Sequence, residues 1–314
     1  MAKILINDGI HPSGAKLLQD AGHEVSLDKI EQGDLPSQLP DFDAICVRSA
    51  TKVRTELIDA CPNLKAIGRG GVGLDNIDVD HAKSKGIAVL NTPAASSRSV
   101  AELAFAHMLS VARSLYDSNR NMPSKGGTEF KSLKKAYSKG FELEGKTLGV
   151  IGFGRIGQST AEIGLSMGMN VMAVDPFIDK ATLRLGGKEI GMDVDVNTVP
   201  MDKMLASADI ITLHIPNIGK YVLSTDGFSK MKDGVILINC SRGGTVDEEA
   251  MISALNSGKI AAAGLDVFEN EPNPRADILN HQKVSLTPHT GASTGEAQEK
   301  IGIELAEKLI ATLG

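Results

Sequence analysis

Apolar residues recur along this chain in short unbroken runs separated by stretches of helical spacing. That is the pattern of parallel strands buried on both faces and covered by helices. Runs at Lys3–Asn7, Glu24–Leu27, Ala44–Arg48, Leu64–Gly68 and Ile87–Leu90 predict strands, with helices over Pro12–Ala21, Arg54–Ala60 and Val79–Lys85. A longer helix is announced by Ser99-Val100-Ala101-Glu102, a capping-box spacing. Leu103, Ala106, Leu109, Ala112 and Leu115 supply its apolar register. Residues 119–144 break the alternation: they are rich in lysine and interrupted by Pro123 and Gly126-Gly127. They read as a polar excursion, and one this long inside a compact domain usually has a job. The job expected here is an arm that embraces a second subunit. A second series follows at Leu148–Ile151, Asn170–Val174, Ile210–Ile215, Val235–Cys240, Ala261–Val267 and Val284–Thr287, closed by a helix over Gly295–Thr312. The alternation predicts an α/β protein with two doubly wound parallel sheets.

Between the strand at Leu148–Ile151 and a helix expected to reach about Met167 stands Gly152-Phe153-Gly154-Arg155-Ile156-Gly157. Gly152 allows the tight turn, Gly154 lets backbone approach a pyrophosphate, and Gly157 lets helix and strand pack closely. The helix start offers free N–H groups and a positive dipole end to the diphosphate. The following strand ends in Asp175, placed to accept from an adenosine ribose and to repel a 2′-phosphate; the cofactor expected is NAD. Gly68 to Gly73 repeats the glycine spacing, but the next apolar run ends in Asn91-Thr92, with no acid for a ribose.

Length and charge narrow the function. The 314 residues suffice for two domains, and a net charge of −6 argues against nucleic acid or an acidic membrane as partner. An anionic substrate must then be drawn by local arginines. Cys46, Cys61 and Cys240 are unclustered, and Cys46 and Cys240 sit in apolar runs, so buried thiols are expected. The histidines lack metal-ligand spacing, and no metal is expected. Met1-Ala2-Lys3 leads straight into a strand without a leader, and no apolar run reaches membrane-spanning length; the expected setting is the cytoplasm.

Three consecutive strands of the second series each end in a chemically suggestive residue. Arg242 follows Val235–Cys240, Glu271 follows Ala261–Phe268, and His289 follows Val284–Thr287. Ligands of open α/β sheets bind beyond the carboxyl ends of strands. Hydride exchange between a 2-hydroxy acid and NAD needs a cation for the substrate carboxylate, for which Arg242 is suited. It needs a group titrating near neutrality for the hydroxyl proton, His289, and a carboxylate to orient that imidazole, Glu271. Asp266 is a candidate acceptor for the nicotinamide amide. His214 and Pro216 would bring backbone near the nicotinamide ribose, and Gly71, Val72 and Gly73 offer an anion nest.

Taken together, GRGGVGLDNID from Gly68, Asn91-Thr92-Pro93, Val100-Ala101-Glu102, Leu148–Gly157, INCSRGGTVD from Ile238, GLDVFENEP from Gly264 and LTPHTG from Leu286 resemble the D-isomer-specific 2-hydroxyacid dehydrogenase family. The resemblance covers essentially the whole chain. It implies a Rossmann NAD-binding domain, 99–287, inserted into a flavodoxin-like substrate-binding domain of 1–98 and 288–314. It also implies a homodimer formed through the NAD-binding domain and the 119–144 arm, an active site in an interdomain cleft, and closure about hinges near Ser96–Ser99 and Gln282–Pro288. The family's Arg–Glu–His set maps onto Arg242, Glu271 and His289, and Phe153, Arg155, Ile156, Cys240, Ser241, His289 and Gly291 join the cofactor contacts. Within the family, VRSATKV from Val47, followed by Gly68-Arg69, is most similar to the D-3-phosphoglycerate dehydrogenases, which begin serine biosynthesis. Arg48 and Arg69 would then hold the phosphate. The chain stops at Gly314, short of the regulatory domains of longer relatives, so serine feedback is not expected. It also has no tryptophan where many relatives carry one; Phe130 or Tyr137 would substitute. A hydroxypyruvate or glyoxylate reductase is the alternative enzyme, and an NAD(H)-sensing, corepressor-like binding protein the alternative of another class.

Overall fold

The computed structural model describes residues 1–186 and 189–314. Two compact units make up the chain, Met1–Ser99 with Ala292–Gly314, and Val100–Gly291. In chain order the first unit holds β1 (Lys3–Ile6), α1 (Pro12–Asp20), β2 (Glu24–Ser26), α2 (Leu35–Gln38), β3 (Ala44–Val47), α3 (Thr55–Ala60), β4 (Ala66–Arg69), α4 (Val79–Ser84) and β5 (Ala88–Asn91). Helices α5 (Ser97–Ala112) and α6 (Leu115–Ala136) come next. The second unit continues with β6 (Thr147–Ile151), α7 (Arg155–Ser166), β7 (Asn170–Val174), β8 (Lys180–Gly186), β9 (Gly191–Asn197), α8 (Met201–Ser207), β10 (Ile210–Leu213) and α9 (Thr225–Lys230). It ends with β11 (Val235–Asn239), α10 (Glu248–Ser257), β12 (Ile260–Leu265), α11 (Ala276–Leu279) and β13 (Val284–Leu286), before α12 (Gly295–Leu313) returns to the first unit.

The first unit's sheet runs β2-β1-β3-β4-β5, parallel throughout. This is the flavodoxin-like order. Burial on both faces explains its continuous apolar runs. Ile4 and Ile6 of β1 pack with Leu18, Leu305 and Leu309, while Leu5 packs with Leu39, Leu57 and Ile58 on the other side. The C-terminal helix is therefore part of this core. Its contact with α1 is backbone to backbone, since a Cβ on Gly14 would overlap the Gly302 carbonyl.

The second unit's sheet runs β13-β12-β11-β10-β6-β7, again parallel. The chain moves outward from β6 to β7 and then returns to the other side of β6 at β10. Strand order reverses there, beside the glycine-rich loop, which is where dinucleotides bind in such sheets. The doubly wound α/β expectation is met in both units.

Three local expectations are corrected. Residues 119–136 are helical rather than irregular, because α6 extends through Pro123 and Gly126-Gly127 to Ala136, and only 137–144 lack regular structure. Its backbone leaves the helical region at Glu129. A straight helix would separate residues 117 and 137 by about 30 Å. Yet Tyr137 Oη donates to Asp117 Oδ2 at 2.8 Å, so the chain doubles back at the kink. Helix α5 begins at Ser97 rather than at Ser99, whose hydroxyl donates to the Ser96 carbonyl instead of capping. It buries Ala101, Ala104, Phe105 and Met108, and of the expected register only Ala112 is buried, while Ala106, Leu109 and Leu115 are exposed. The antiparallel hairpin β8–β9 was not anticipated. Lys180, Thr182 and Arg184 face outward while Leu183 and Val196 are buried, the period-2 signature of a half-covered sheet.

Candidate active site

Strands β11, β12 and β13 lie side by side and parallel, so their carboxyl ends share one edge. After β11, the Asn239 side chain organises the turn. Its Oδ1 accepts from Ser241 N (3.0 Å) and Ser241 Oγ (2.7 Å), and its Nδ2 donates to the Arg242 carbonyl (3.2 Å) and Thr245 Oγ1 (3.1 Å). Arg242 Nη1 donates to the Ser241 carbonyl at 2.7 Å. This turn is locked to the one after β12. A Cβ on Gly243 would overlap the Phe268 carbonyl, Glu248 N donates to Glu269 Oε1 (3.1 Å), and Glu269 N donates to Glu248 Oε1 (2.9 Å).

Glu271 Oε1 accepts from Phe268 N at 2.9 Å, and Oε2 lies 2.7 Å from His289 Nδ1. Burial works to raise the Glu271 pKa, but the bonds from His289 and Phe268 and the charges of His289 and Arg242 outweigh it and hold it below the usual carboxylate value. His289 sits at φ 54°, in the left-handed region, which re-aims the chain after β13. Arg242, Glu271 and His289 thus come together in the second unit, with His289 and Glu271 each partly open to solvent. Asn239, Glu248 and Glu269 were missed in the sequence. The signal available for Asn239 was an amide ending an apolar strand just before glycines, where such side chains organise turns.

The backbone of the glycine loop is crowded at its first and third glycines and open at its second. Gly152 has φ 91°, and a Cβ there would press on the His214 carbonyl at 2.5 Å; one on Gly157 would overlap the Gly152 carbonyl. A Cβ on Gly154 would meet nothing within 4 Å, and Gly154 caps α7 without a side-chain acceptor. The rival glycines at Gly68 to Gly73 lead into no helix until α4. Asp175 Oδ2 accepts from Phe153 N (2.7 Å) and Oδ1 from Phe177 N (2.8 Å). Each oxygen keeps capacity for another donor.

His214, just after β10, has Nε2 at 3.1 Å from both Thr160 Oγ1 and Thr212 Oγ1. Burial lowers its pKa to about 3, so it is a neutral brace rather than an acid or base. Pro216 is exposed beyond it. Burial, aided by the Asp266 charge, pushes the Cys240 thiol up. Asp266 is 1% exposed, and the amides of Thr290 (2.7 Å) and Gly291 (2.9 Å) donate to it. In the first unit, Arg48 follows β3 and Arg69 ends β4, with Val47 and Arg69 paired in register. Of the proposed anion nest, the Gly71 amide is already used by the Arg69 carbonyl at 2.9 Å, and the Asn91 side chain holds the Val72 carbonyl at 2.7 Å. Among the described residues no group of His, Cys, Asp and Glu could hold a metal, and no helix is long and apolar enough to cross a membrane.

Residues 105–291 match the family model described as D-isomer specific 2-hydroxyacid dehydrogenase, NAD binding domain. A hydroxypyruvate reductase of Thermotoga maritima is 44% identical over 99% of this chain and 98% of its own length. The chain belongs to the D-isomer specific 2-hydroxyacid dehydrogenase family. A D-3-phosphoglycerate dehydrogenase of Methanocaldococcus jannaschii is 41% identical over 98% of this chain, which spans only 57% of that protein. An NAD⁺-bound 3-phosphoglycerate dehydrogenase of Entamoeba histolytica superposes with a TM-score of 0.78 at 26% identity, covering 99% of this chain and 95% of that one.

NAD is the cofactor of this family's nucleotide domain, and the residues present fit it. The backbone is bare at Gly154, a helix start faces the loop, and the carboxylate of Asp175 closes the next strand. A D-2-hydroxyacid dehydrogenase of this family is an oxidoreductase for small hydroxy and keto acids.

Proposed function

We propose that this dehydrogenase interconverts D-3-phosphoglycerate and 3-phosphohydroxypyruvate. The observation that carries the phosphate is the pairing of β3 with β4, which puts Arg48, the residue just past the end of β3, beside Arg69 at the end of β4. Arg242 holds the substrate carboxylate. His289 takes the hydroxyl proton during oxidation and returns it during reduction through Nε2, because Nδ1 is engaged with Glu271. Glu271 fixes the tautomer and steadies the imidazolium. Asp266 accepts from the carboxamide of the cofactor, and Asp175 accepts from its adenosine ribose. When bound, NAD supplies the hydride acceptor or donor.

A second reading, a hydroxypyruvate reductase, is favoured by the end-to-end match to the Thermotoga protein. Steady-state kcat/KM with NADH on phosphohydroxypyruvate, hydroxypyruvate and glyoxylate separates them. The phosphate reading expects phosphohydroxypyruvate to win by at least about tenfold, as a charge-assisted contact implies. Equal or better turnover of the unphosphorylated acids would reject it.

A homodimer is part of the proposal. Leu109, Leu115, Met122 and Phe130 of α5 and α6 are exposed apolar side chains that a second copy would cover. Sedimentation velocity tests this: a monomer at micromolar concentration would refute it.

A further inference from the structure

Helix α5 contributes a buried histidine to the second unit that the proposed chemistry does not use. His107 is 2% exposed, with Nδ1 at 2.9 Å from Ser285 Oγ and Nε2 at 2.9 Å from Thr287 Oγ1. Thr287 Oγ1 in turn donates to Asp266 Oδ1 at 2.6 Å. A threonine hydroxyl has one hydrogen. With that hydrogen given to Asp266, Thr287 can only accept from His107. Nε2 of His107 therefore carries the proton. Burial lowers the His107 pKa, which disfavours a second proton, so Nδ1 is left to accept from Ser285. The chain of bonds has one direction throughout: Ser285 to His107, His107 to Thr287, Thr287 to Asp266. The ring is confined as well, because a Cβ on Gly264 would press on His107 Cβ at 2.6 Å.

We infer that His107 is a positioning residue for the cofactor: through Thr287 it holds the Asp266 carboxylate in the orientation that receives the nicotinamide carboxamide. The inference rests on the reading that Asp266 accepts from that carboxamide. Asp266 takes its other donors from Thr290 and Gly291, on the loop that carries His289. Without the Thr287 bond, the carboxylate loses its only donor from the strand side among the described contacts. Loosening it should weaken recognition of the carboxamide N–H in particular, and not of the dinucleotide in general.

The test is calorimetric binding of NADH and of reduced 3-acetylpyridine adenine dinucleotide to the intact protein. The analogue keeps the carbonyl but has no amide N–H for Asp266. His107→Leu should weaken NADH by about tenfold, the scale of one charge-assisted hydrogen bond, while weakening the analogue by about twofold or less. His107→Gln, whose amide can donate from near the position of Nε2, should restore NADH to within about threefold. Equal weakening of both dinucleotides, no weakening of either, or failure of glutamine to rescue would overturn the inference. Asp266→Leu, which has no acceptor, is the control. If it removes the preference for NADH and His107→Leu does not, only the role of His107 falls. If Asp266→Leu leaves the preference intact, the carboxamide contact and the inference fall together.

Discussion

Nδ1 of His289 lies 2.7 Å from Oε2 of Glu271, although the two residues leave different strands and are separated by 18 positions. The bond commits one ring nitrogen, and the proposed proton transfer then falls to Nε2. Glu271→Gln should therefore lower kcat by at least about 100-fold while leaving NADH affinity within about twofold, because orientation and charge are lost rather than the cofactor site. Stopped-flow turnover and fluorescence titration of NADH check the two halves.

The same pair predicts an acid limit to stability. The folded-state pKa of Glu271 lies below its ordinary value of 4.5, so its contribution is present above that value and fades as pH falls through the lowered one. Thermal melts from pH 6 downward should show wild type losing stability below about pH 4.5, and Glu271→Gln losing less over that interval.

Gly154 and Gly157 should fail in different ways. Alanine at Gly154 meets open space in the protein and would intrude only on a diphosphate, so NAD affinity should drop by about tenfold or more with the melting temperature unchanged. Alanine at Gly157 would overlap the Gly152 carbonyl and should cost about 1–3 kcal/mol of stability. Melting curves with and without NAD distinguish the two.

His214 should not titrate near neutrality. Its folded pKa is about 3 against an ordinary 6.5, so the unfolded chain takes up a proton that the folded chain refuses as pH falls between those values. Stability should rise with pH across that window. In NMR titrations the His214 ring should keep constant shifts from pH 5 to 8; a midpoint in that range would contradict its burial against Thr160 and Thr212.

All three thiols should resist labelling in the folded protein. Burial pushes Cys46 to about 12 and Cys61 to about 11, and Cys240 upward as well. The thiolate is the reactive form, so a disulfide reagent at pH 8 should label them only after denaturant is added.

Much of this arrangement was legible in the residues, and the exceptions have physical causes. The strands β6 and β7 announce themselves because parallel strands covered on both faces must be apolar throughout, and Asp175 interrupts that rule only where the strand emerges. Arg242, Glu271 and His289 could be grouped because parallel strands end on one edge. Helix α6 could not be read, since Pro123 and Gly126-Gly127 each disfavour a helix locally. The fold-back that joins Tyr137 to Asp117 is a tertiary contact. In α5, two stripes compete, and choosing Phe105 and Met108 over Leu109 depends on what packs opposite. The His107–Thr287–Asp266 chain joins residues from a helix and two strand ends, which spacing alone does not reveal.

The most direct measurement is the single-turnover rate of NADH oxidation by a 2-keto acid in His289→Gln. If His289 transfers the hydroxyl proton, that rate falls by about 100-fold to 10,000-fold while the dissociation constant of NADH stays within about twofold. A rate within about tenfold of wild type, with the substrate and cofactor still bound, would show that the proton moves elsewhere and would contradict the mechanism.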